Sequence, residues 1–508
     1  MIRSAHSALL ALSTTLLLCR ILIAADTAVS PSTQPAVAPQ DGYQTIHNDF
    51  FSVDQSGTRI LTRSGCLRQF NGVFYWYGGN PRGFREQYCY TSTDLVHWTN
   101  KGVILRQDVD ANRIDVLYND PTKQYVMFLK YNGNGAHFAI ATADKPEGPF
   151  TFKSQTLVDN ARMGDMSIFE DTDGKAYLCY VSWAVGTNAQ HGIYLLSADY
   201  LTLDKRIYLW NIRGREAPHM FKRNGLYYYG TSKTAGILSS DTSYYTATNL
   251  AGPWSPAKPL ATPGSVNSWD SQVDFVYPIQ GTQGTLYMYA GDRWVKNPQT
   301  GRSGDYVWLP MDFDGDTPIV NYYQDWDLNL AAGTWRKFDP SRDLAAGKPV
   351  TASSEDGTNS AAHVTESKTW TDYANTHWQS AATDPQWIMV DLGSPTEINR
   401  VILKWGAAAA KSFKIQASTD ATTWTDVYST TQGSSSSITD ETFNTTLAKY
   451  MRMYATGRAP IPFAGRGGFG RRGGSPQTAP VQIARQPSTT QPLAPSGYSL
   501  YGFMVLKD

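Results

Sequence analysis

Arg215-Glu216-Ala217-Pro218-His219-Met220 runs directly into Phe221-Lys222-Arg223-Asn224-Gly225 and then into an aromatic stretch at residues 226–230. A carboxylate therefore stands at the mouth of a strand, ahead of a short turn and a second strand. Four other stretches follow a similar plan. They are Phe70-Asn71-Gly72 into Phe74-Tyr75-Trp76-Tyr77, residues 119–123 into Tyr125-Val126-Met127-Phe128, Asp171-Thr172-Asp173-Gly174 into Tyr177-Leu178-Cys179-Tyr180, and Thr282-Gln283-Gly284 into Leu286-Tyr287-Met288-Tyr289. The turns recur about every fifty residues, and a repeat of that length built from short strands predicts β-propeller blades. A small-residue strand and a turn rich in Asp, Pro and Gly then follow, as at residues 91–98, 141–150, 196–200 and 247–254, and predict the third and fourth strands of each blade. Five blades are expected over residues 46–338.

The chain has 508 residues, 41% of them hydrophobic and 13% aromatic, enough for two packed domains. Lys plus Arg and Asp plus Glu number 44 each, so no net charge draws it to nucleic acid or to an anionic membrane. Residues 1–25 have a basic start at Arg3, an apolar run interrupted by Arg20, and the small pair Ala24-Ala25. That pattern predicts a cleavable signal peptide rather than a membrane span, and hence a secreted or periplasmic protein. Leu18 stands before Cys19 where a lipoprotein box wants a small residue, which argues against lipid anchoring. Residues 26–45 are rich in Pro, Ser, Thr and Ala and read as a linker. Cys66, Cys89 and Cys179 are scattered and read as buried thiols rather than a disulfide framework.

A second domain is expected over residues 339–508. Short alternating strands at Trp387-Ile388-Met389-Val390-Asp391-Leu392, Ile398-Asn399-Arg400-Val401-Ile402-Leu403 and Phe413-Lys414-Ile415-Gln416-Ala417 predict a β-sandwich. With Lys449-Tyr450-Met451-Arg452-Met453-Tyr454 and Tyr498-Ser499-Leu500-Tyr501-Gly502-Phe503, these phrases resemble the discoidin (factor 5/8 C-type, galactose-binding-like) domain. Residues 457–496 interrupt its last strand pair with a Gly/Arg/Pro-rich insertion, which composition marks as a disordered surface loop. In the sandwich Trp370 and Tyr373 are candidate sugar contacts, and Trp378 is expected in the core.

In a propeller the first strand of each blade starts at the central axis. Counting back about nine residues from each short turn reaches Arg63, Asn112 or Arg113, Asp165 and Glu216, and Gln272 is the nearest polar candidate in the fifth blade. One Glu, one Asp, an amide and cations in a water-poor pocket can have their protonation states pushed apart. Glycoside hydrolysis needs such a contrast: one carboxyl stays protonated for the leaving oxygen while another group handles water on the opposite face. Trp183, Trp269, Trp294 and Trp308 flank inner strands as candidate sugar-stacking walls or blade packing. His219 is a candidate pocket donor. The plain structural alternative is that Asp165 and Glu216 pair with Arg63, Arg113 or Arg215 to close the propeller core, and that Gln272 is a structural amide.

Residues 60–310 resemble the five-bladed glycoside hydrolase family 43. Arg215-Glu216-Ala217-Pro218 before an aromatic hairpin resembles its general-acid motif, and Asp165-Met166-Ser167-Ile168-Phe169 resembles the stretch bearing its modulating aspartate. Asp115-Val116-Leu117-Tyr118-Asn119 and the Gln272 position resemble the exo-β-1,3-galactanase branch. The resemblance implies Glu216 as general acid, Asp165 as the residue that raises its pKa, and Gln272 handling water in place of a base. No blade-one aspartate is present, the corresponding stretch being Arg63-Ser64-Gly65-Cys66, and Asn112 stands where that branch carries a glutamate.

The expected protein is thus an all-β, monomeric, inverting glycoside hydrolase without cofactor or metal, acting on polysaccharide or oligosaccharide through a terminal β-galactosyl bond. Arg63, Asn112, Arg113, Trp183, His219 and Trp294 are expected to bind substrate. The rivals are a β-xylosidase or α-L-arabinofuranosidase of the same fold, and a propeller that binds carbohydrate without hydrolysing it.

Overall fold

The computed structural model describes residues 41–80, 83–133, 135–183, 190–236, 238–294, 306–366, 376–459 and 497–508. The expected signal segment, most of the linker, Trp370, Tyr373 and nearly all of the insertion lie outside the described residues.

Five four-stranded antiparallel sheets follow one another in chain order. Blade one is Arg63–Phe70, Val73–Gly79, Glu86–Ser92 and Thr99–Arg106. Blade two is Ala111–Asn119, Gln124–Tyr131, His137–Ala143 and Thr151–Thr156; blade three is Arg162–Glu170, Ala176–Trp183, Gln190–Leu196 and Leu203–Asn211. Blade four is Arg215–Arg223, Leu226–Lys233, Thr242–Ala247 and Lys258–Pro259; blade five is Gln272–Gln280, Thr285–Asp292, Tyr306–Asp314 and Thr317–Val320. The hairpin turns fall where turn chemistry places them. At Asn224-Gly225 both residues have positive φ, 50° and 79°, the conformation that matches the twist of the flanking strands.

The expectation of five blades is corrected: among the described residues the propeller region has six sheets. The sixth is three-stranded and joins Gln44–His47 to Asp325–Asn329 and Thr334–Lys337. Its pairing of Gln44 with Leu328 spans most of the domain, so no contiguous repeat announces it. Gln44 and Thr45, which composition assigns to the linker, are strand residues. Ile46, Trp326 and Leu328 of this sheet pack with Leu67 and Trp76 of blade one and with Ile279, Met288 and Trp308 of blade five, sealing the join between the two ends of the repeat.

Neighbouring sheets bury apolar faces against each other. Val126 and Phe128 of blade two meet Met166, Leu178 and Tyr180 of blade three, and Phe169 and Cys179 of blade three meet Met220 and Tyr229 of blade four. Each such side chain contributes about 1.5–3 kcal/mol on burial, and two-sided burial is why strict alternation is weak in these strands. Cys66, Cys89 and Cys179 are buried free thiols within this packing.

The C-terminal domain is a β-sandwich built on two long paired strands, Gln386–Trp405 and Ile438–Arg458. Trp378 and Trp405 are fully buried in its core. The sandwich docks on the sixth sheet through buried ions. Arg400 donates to Asp440, to Asp508 and to the Thr45 hydroxyl, and His47 lies between Asp325 of the propeller and Asp440 of the sandwich at 2.6 and 3.1 Å.

Candidate active site

Every first strand of the five four-stranded blades carries a β-bulge: between Arg63 and Cys66, Asn112 and Asp115, Met163 and Met166, Glu216 and His219, and Val273 and Phe275. A bulge re-aims a side chain beside it. Arg113 and Ala217 take positive φ there, 50° and 51°. Hairpins of similar length put the bulge at a near-constant distance from the turn, so counting back from the turns finds it.

Five of the predicted residues, Arg113, Asp165, Glu216, Gln272 and Trp294, form one hydrogen-bonded set. Arg113, 6% exposed, donates from Nη2 to Gln272 Oε1 at 2.7 Å and from Nη1 to Asp274 Oδ1 at 2.8 Å, and its Nη2 lies 3.1 Å from Asp165 Oδ2. Asp165 also takes Lys130 Nζ at 3.1 Å and the Ala217 N–H at 3.2 Å, so it holds the backbone next to Glu216. Gln272 donates from Nε2 to Glu216 Oε1 at 2.9 Å, and Ala235 N–H donates to the same oxygen at 3.2 Å. Trp294 Nε1 donates to Gln272 Oε1 at 3.1 Å. Arginine and indole nitrogens only donate, so the Gln272 atom facing them is its oxygen and the amide cannot be flipped.

Burial, then the Asp165 charge, raises the Glu216 pKa above its ordinary value. Asp165 goes the other way. Burial would raise it, but Arg113, Lys130 and the Ala217 N–H overturn that and hold its carboxyl well below the usual range. One carboxyl is pushed towards its protonated form beside another held ionised.

Arg63 joins through Trp294, its guanidinium lying 5.2 Å from the ring centroid. Asn112 is half-buried beside Arg113, with no hydrogen-bond partner for its Oδ1 among the described residues. Trp183 ends the second strand of blade three, 40% exposed, next to Gly164, where an added Cβ would lie 2.5 Å from the indole nitrogen. His219 does not join the set. The bulge separates it from Glu216, its ring packs on Gly230, it is 4% exposed, and burial lowers its pKa to about 4, leaving it neutral. Trp269 and Trp308 are core residues, the first donating to Val320 O at 2.8 Å.

Lys130, Asp274 and Asp292 belong to the site and were not found by counting. Lys130 lies opposite Asn112, and Asp292 opposite Gln272, in the next strand of the same hairpin. A step across each hairpin at the level of the bulge is the signal that finds them. On the far side of Arg113 and Asp274 lies a rear cavity of about 300 Å³, lined also by Arg68, Asp115 and His219. A larger cavity of about 490 Å³ lies between propeller and sandwich and contains none of the Glu216 set.

Residues 65–275 match the model of glycosyl hydrolases family 43, and residues 349–466 match that of the F5/8 type C domain. A curated relative, the β-D-galactofuranosidase xynD of Aspergillus niger, is 30% identical over 215 residues. That match takes in 37% of this chain and 61% of the relative, so the chain spans about three-fifths of the relative's length. An exo-β-1,3-galactanase from Clostridium thermocellum is 29% identical with a TM-score of 0.52, over 61% of this chain and 73% of that one. The exo-β-1,3-galactanase of Phanerochaete chrysosporium, solved with β-1,3-galactotriose, has a TM-score of 0.54 over 91% of this chain and all of that one; at 22% identity the likeness concerns the fold. Two stretches of the chain are therefore similar to known families, residues 65–275 to glycosyl hydrolases family 43 and residues 349–466 to the F5/8 type C domain.

Proposed function

We propose that this protein is a glycoside hydrolase that cleaves terminal β-galactosyl bonds with inversion, in the manner of an exo-β-1,3-galactanase. The observation that carries the reading is the Glu216 carboxyl, its pKa raised by burial and by the Asp165 charge, with Gln272 bonded to it and Arg113 bonded in turn to Gln272. Glu216 Oε1 already accepts two N–H groups, so the acidic proton sits on Oε2. In the reaction that proton passes to the glycosidic oxygen as the C1–O bond breaks, and a water oxygen adds to C1 from the opposite face.

Both lone pairs of the Gln272 oxygen are taken by Arg113 and Trp294, so its free valence is the second N–H. Gln272 thus orients Glu216 and donates to water or a sugar hydroxyl rather than taking a proton. Water added to an oxocarbenium-like centre becomes strongly acidic, and a second water suffices to accept its proton. Trp183 and Trp294 offer aromatic faces to the sugar. Export and a sandwich that holds the enzyme on polysaccharide fit the same reading.

A second reading, β-D-galactofuranosyl cleavage, is favoured by the identity to the Aspergillus niger relative. NMR product analysis on β-1,3-galactan oligomers, β-galactofuranosides, xylan and arabinan separates the two and reports the anomer formed. Glu216→Gln is expected to lower kcat on the order of 10²–10⁴-fold with substrate binding kept. If wild type releases no sugar from any of these substrates, the protein is a carbohydrate-binding propeller.

A further inference from the structure

Gln272 enters the site from a strained turn. Ser268, Trp269 and Asp270 have φ of 52°, 61° and 64°, three non-glycine residues in succession in the left-handed region. A chain left to itself does not keep that conformation, because each Cβ crowds a neighbouring carbonyl. Strain of this kind persists only where surrounding groups hold it, and Gln272 stands two residues past the end of the turn. Part of the hold is local. Asn267 Nδ2 donates to Asp270 Oδ1 at 2.8 Å, and the Ser271 hydroxyl donates to Ser268 O at 2.6 Å.

The rest comes from segments far along the chain. Arg293, 1% exposed, straddles the Trp269 carbonyl with Nε at 3.4 Å and Nη2 at 3.3 Å, and its Nη1 donates to Asp49 Oδ1 at 2.5 Å. Asp49, equally buried and itself at φ 71°, follows the first strand of the sixth sheet. Its Oδ2 accepts the Tyr322 hydroxyl, and the Tyr322 ring packs on Trp269 with centroids 5.4 Å apart. A buried ion is costly unless paired, so this pair is held to one geometry. Arg293 also lies between Asp292, which pairs opposite Gln272 in the ladder, and Trp294, whose indole donates to Gln272 Oε1. One guanidinium thus fixes the approach to Gln272 through Trp269 and, through its own backbone, the strand and the donor that face the amide.

We propose that Asp49 and Arg293 are positioning residues for Gln272: the buried pair holds the Trp269 carbonyl, keeps residues 268–270 left-handed, and so sets the angle at which the Gln272 amide meets Glu216. The sixth sheet gains a part in the site by this route, since Asp49 reaches Arg293 from the strand that pairs across the two ends of the propeller repeat. Both residues act through Gln272 rather than on the sugar. The catalytic consequence rests on the glycosidase reading; the placement of the amide does not.

Arg293→Lys keeps the charge but cannot bridge Asp49 and the Trp269 carbonyl with one planar group. A double-mutant cycle with Gln272→Ala on a β-1,3-galactan oligomer tests the role, with rates taken well below the melting temperature of each variant. Arg293→Lys is expected to lower kcat about tenfold in the wild-type background, with a smaller change in KM, and less than about twofold in the Gln272→Ala background, because effects routed through a shared residue do not add. A loss of equal size in both backgrounds marks a merely structural pair and overturns the role, as does wild-type kcat in Arg293→Lys. Asp49→Asn keeps an oxygen for Arg293 and gives up the charge; it goes through the same cycle with the same criteria and covers the case in which Arg293→Lys fails to fold. Placement is read without turnover by NMR of protein labelled at the glutamine side-chain nitrogen. The Gln272 amide resonance, assigned by its loss in Gln272→Ala, is expected to move in Arg293→Lys and in Asp49→Asn, and a resonance left in place in both overturns the positioning. A wild type that hydrolyses nothing overturns the glycosidase reading and leaves the NMR result to decide the placement.

Discussion

Arg113→Lys tests whether the axial site depends on a planar fork or merely on a positive charge. Arg113 serves acceptors on Asp165 of blade three and on Gln272 and Asp274 of blade five. A lysine keeps the charge as a compact point and cannot span them together. Keeping one contact and losing two charge-assisted hydrogen bonds, each worth about 1.5–3 kcal/mol, predicts a loss of about 3–6 kcal/mol. Thermal unfolding should fall by roughly 6–24 °C at about 2–4 °C per kcal/mol for a domain of this order of size. Activity should fall as well, because Gln272 loses one of the two donors that fix its amide and Asp165 loses its strongest cation.

Arg68 supplies the control. Its Nε and Nη2 both donate to Asp115, and Nη2 also reaches Ile168 O at 3.0 Å, a half-buried fork off the rear cavity and outside the Glu216 set. Arg68→Lys should therefore lower thermal stability to a similar extent while kcat, measured well below its melting point, stays near wild type. Differential scanning calorimetry and initial rates on a β-1,3-galactan oligomer read both effects. Wild-type kcat in Arg113→Lys, or an equal loss of activity in the two variants, would refute a role for the fork in the site.

Three further outcomes are expected. Asp165→Asn removes the charge that, after burial, does most to raise the Glu216 pKa, and leaves Lys130 and Arg113 beside it; the alkaline limb of kcat/KM should move to lower pH, and an upward shift would contradict the assignment. His47 is raised by Asp325 and Asp440 despite burial, so its contribution is full below its unfolded value near 6.5 and fades as pH rises through the folded value. The melting temperatures of wild type and His47→Gln should therefore differ most at pH about 5.5 and converge at alkaline pH. Trp183→Ala removes an exposed indole without opening a core cavity, so KM should rise several-fold for longer oligosaccharides while the melting temperature moves by less than about 2 °C.

Much of the site could be read from local pattern. Turn chemistry at Asn71-Gly72 and Asn224-Gly225 sets the hairpins, and their shared length carries the count back to Arg63, Arg113, Asp165 and Glu216 at the bulges. His219 shows where the count stops working. A residue three places along a regular strand would face the other side from its neighbour in a way alternation can follow, but the intervening bulge breaks the alternation and turns the ring onto Gly230. Lys130 and Asp292 escaped because they sit on second strands, across the hairpin from the counted positions.

The repeating hairpins, the all-β class, the join to a second domain and the candidate acid at Glu216 are all legible in the chain before it folds. They depend on strand, turn and motif signals confined to a few neighbouring residues. Two features emerge only when distant strands meet: the sixth sheet, where Gln44 pairs with Leu328, and the orientation of the Gln272 amide between Arg113 and Trp294. Each depends on which donors and acceptors come together in a space closed to water. A buried polar group must find its partner wherever the fold puts one, and no spacing along the chain records that choice.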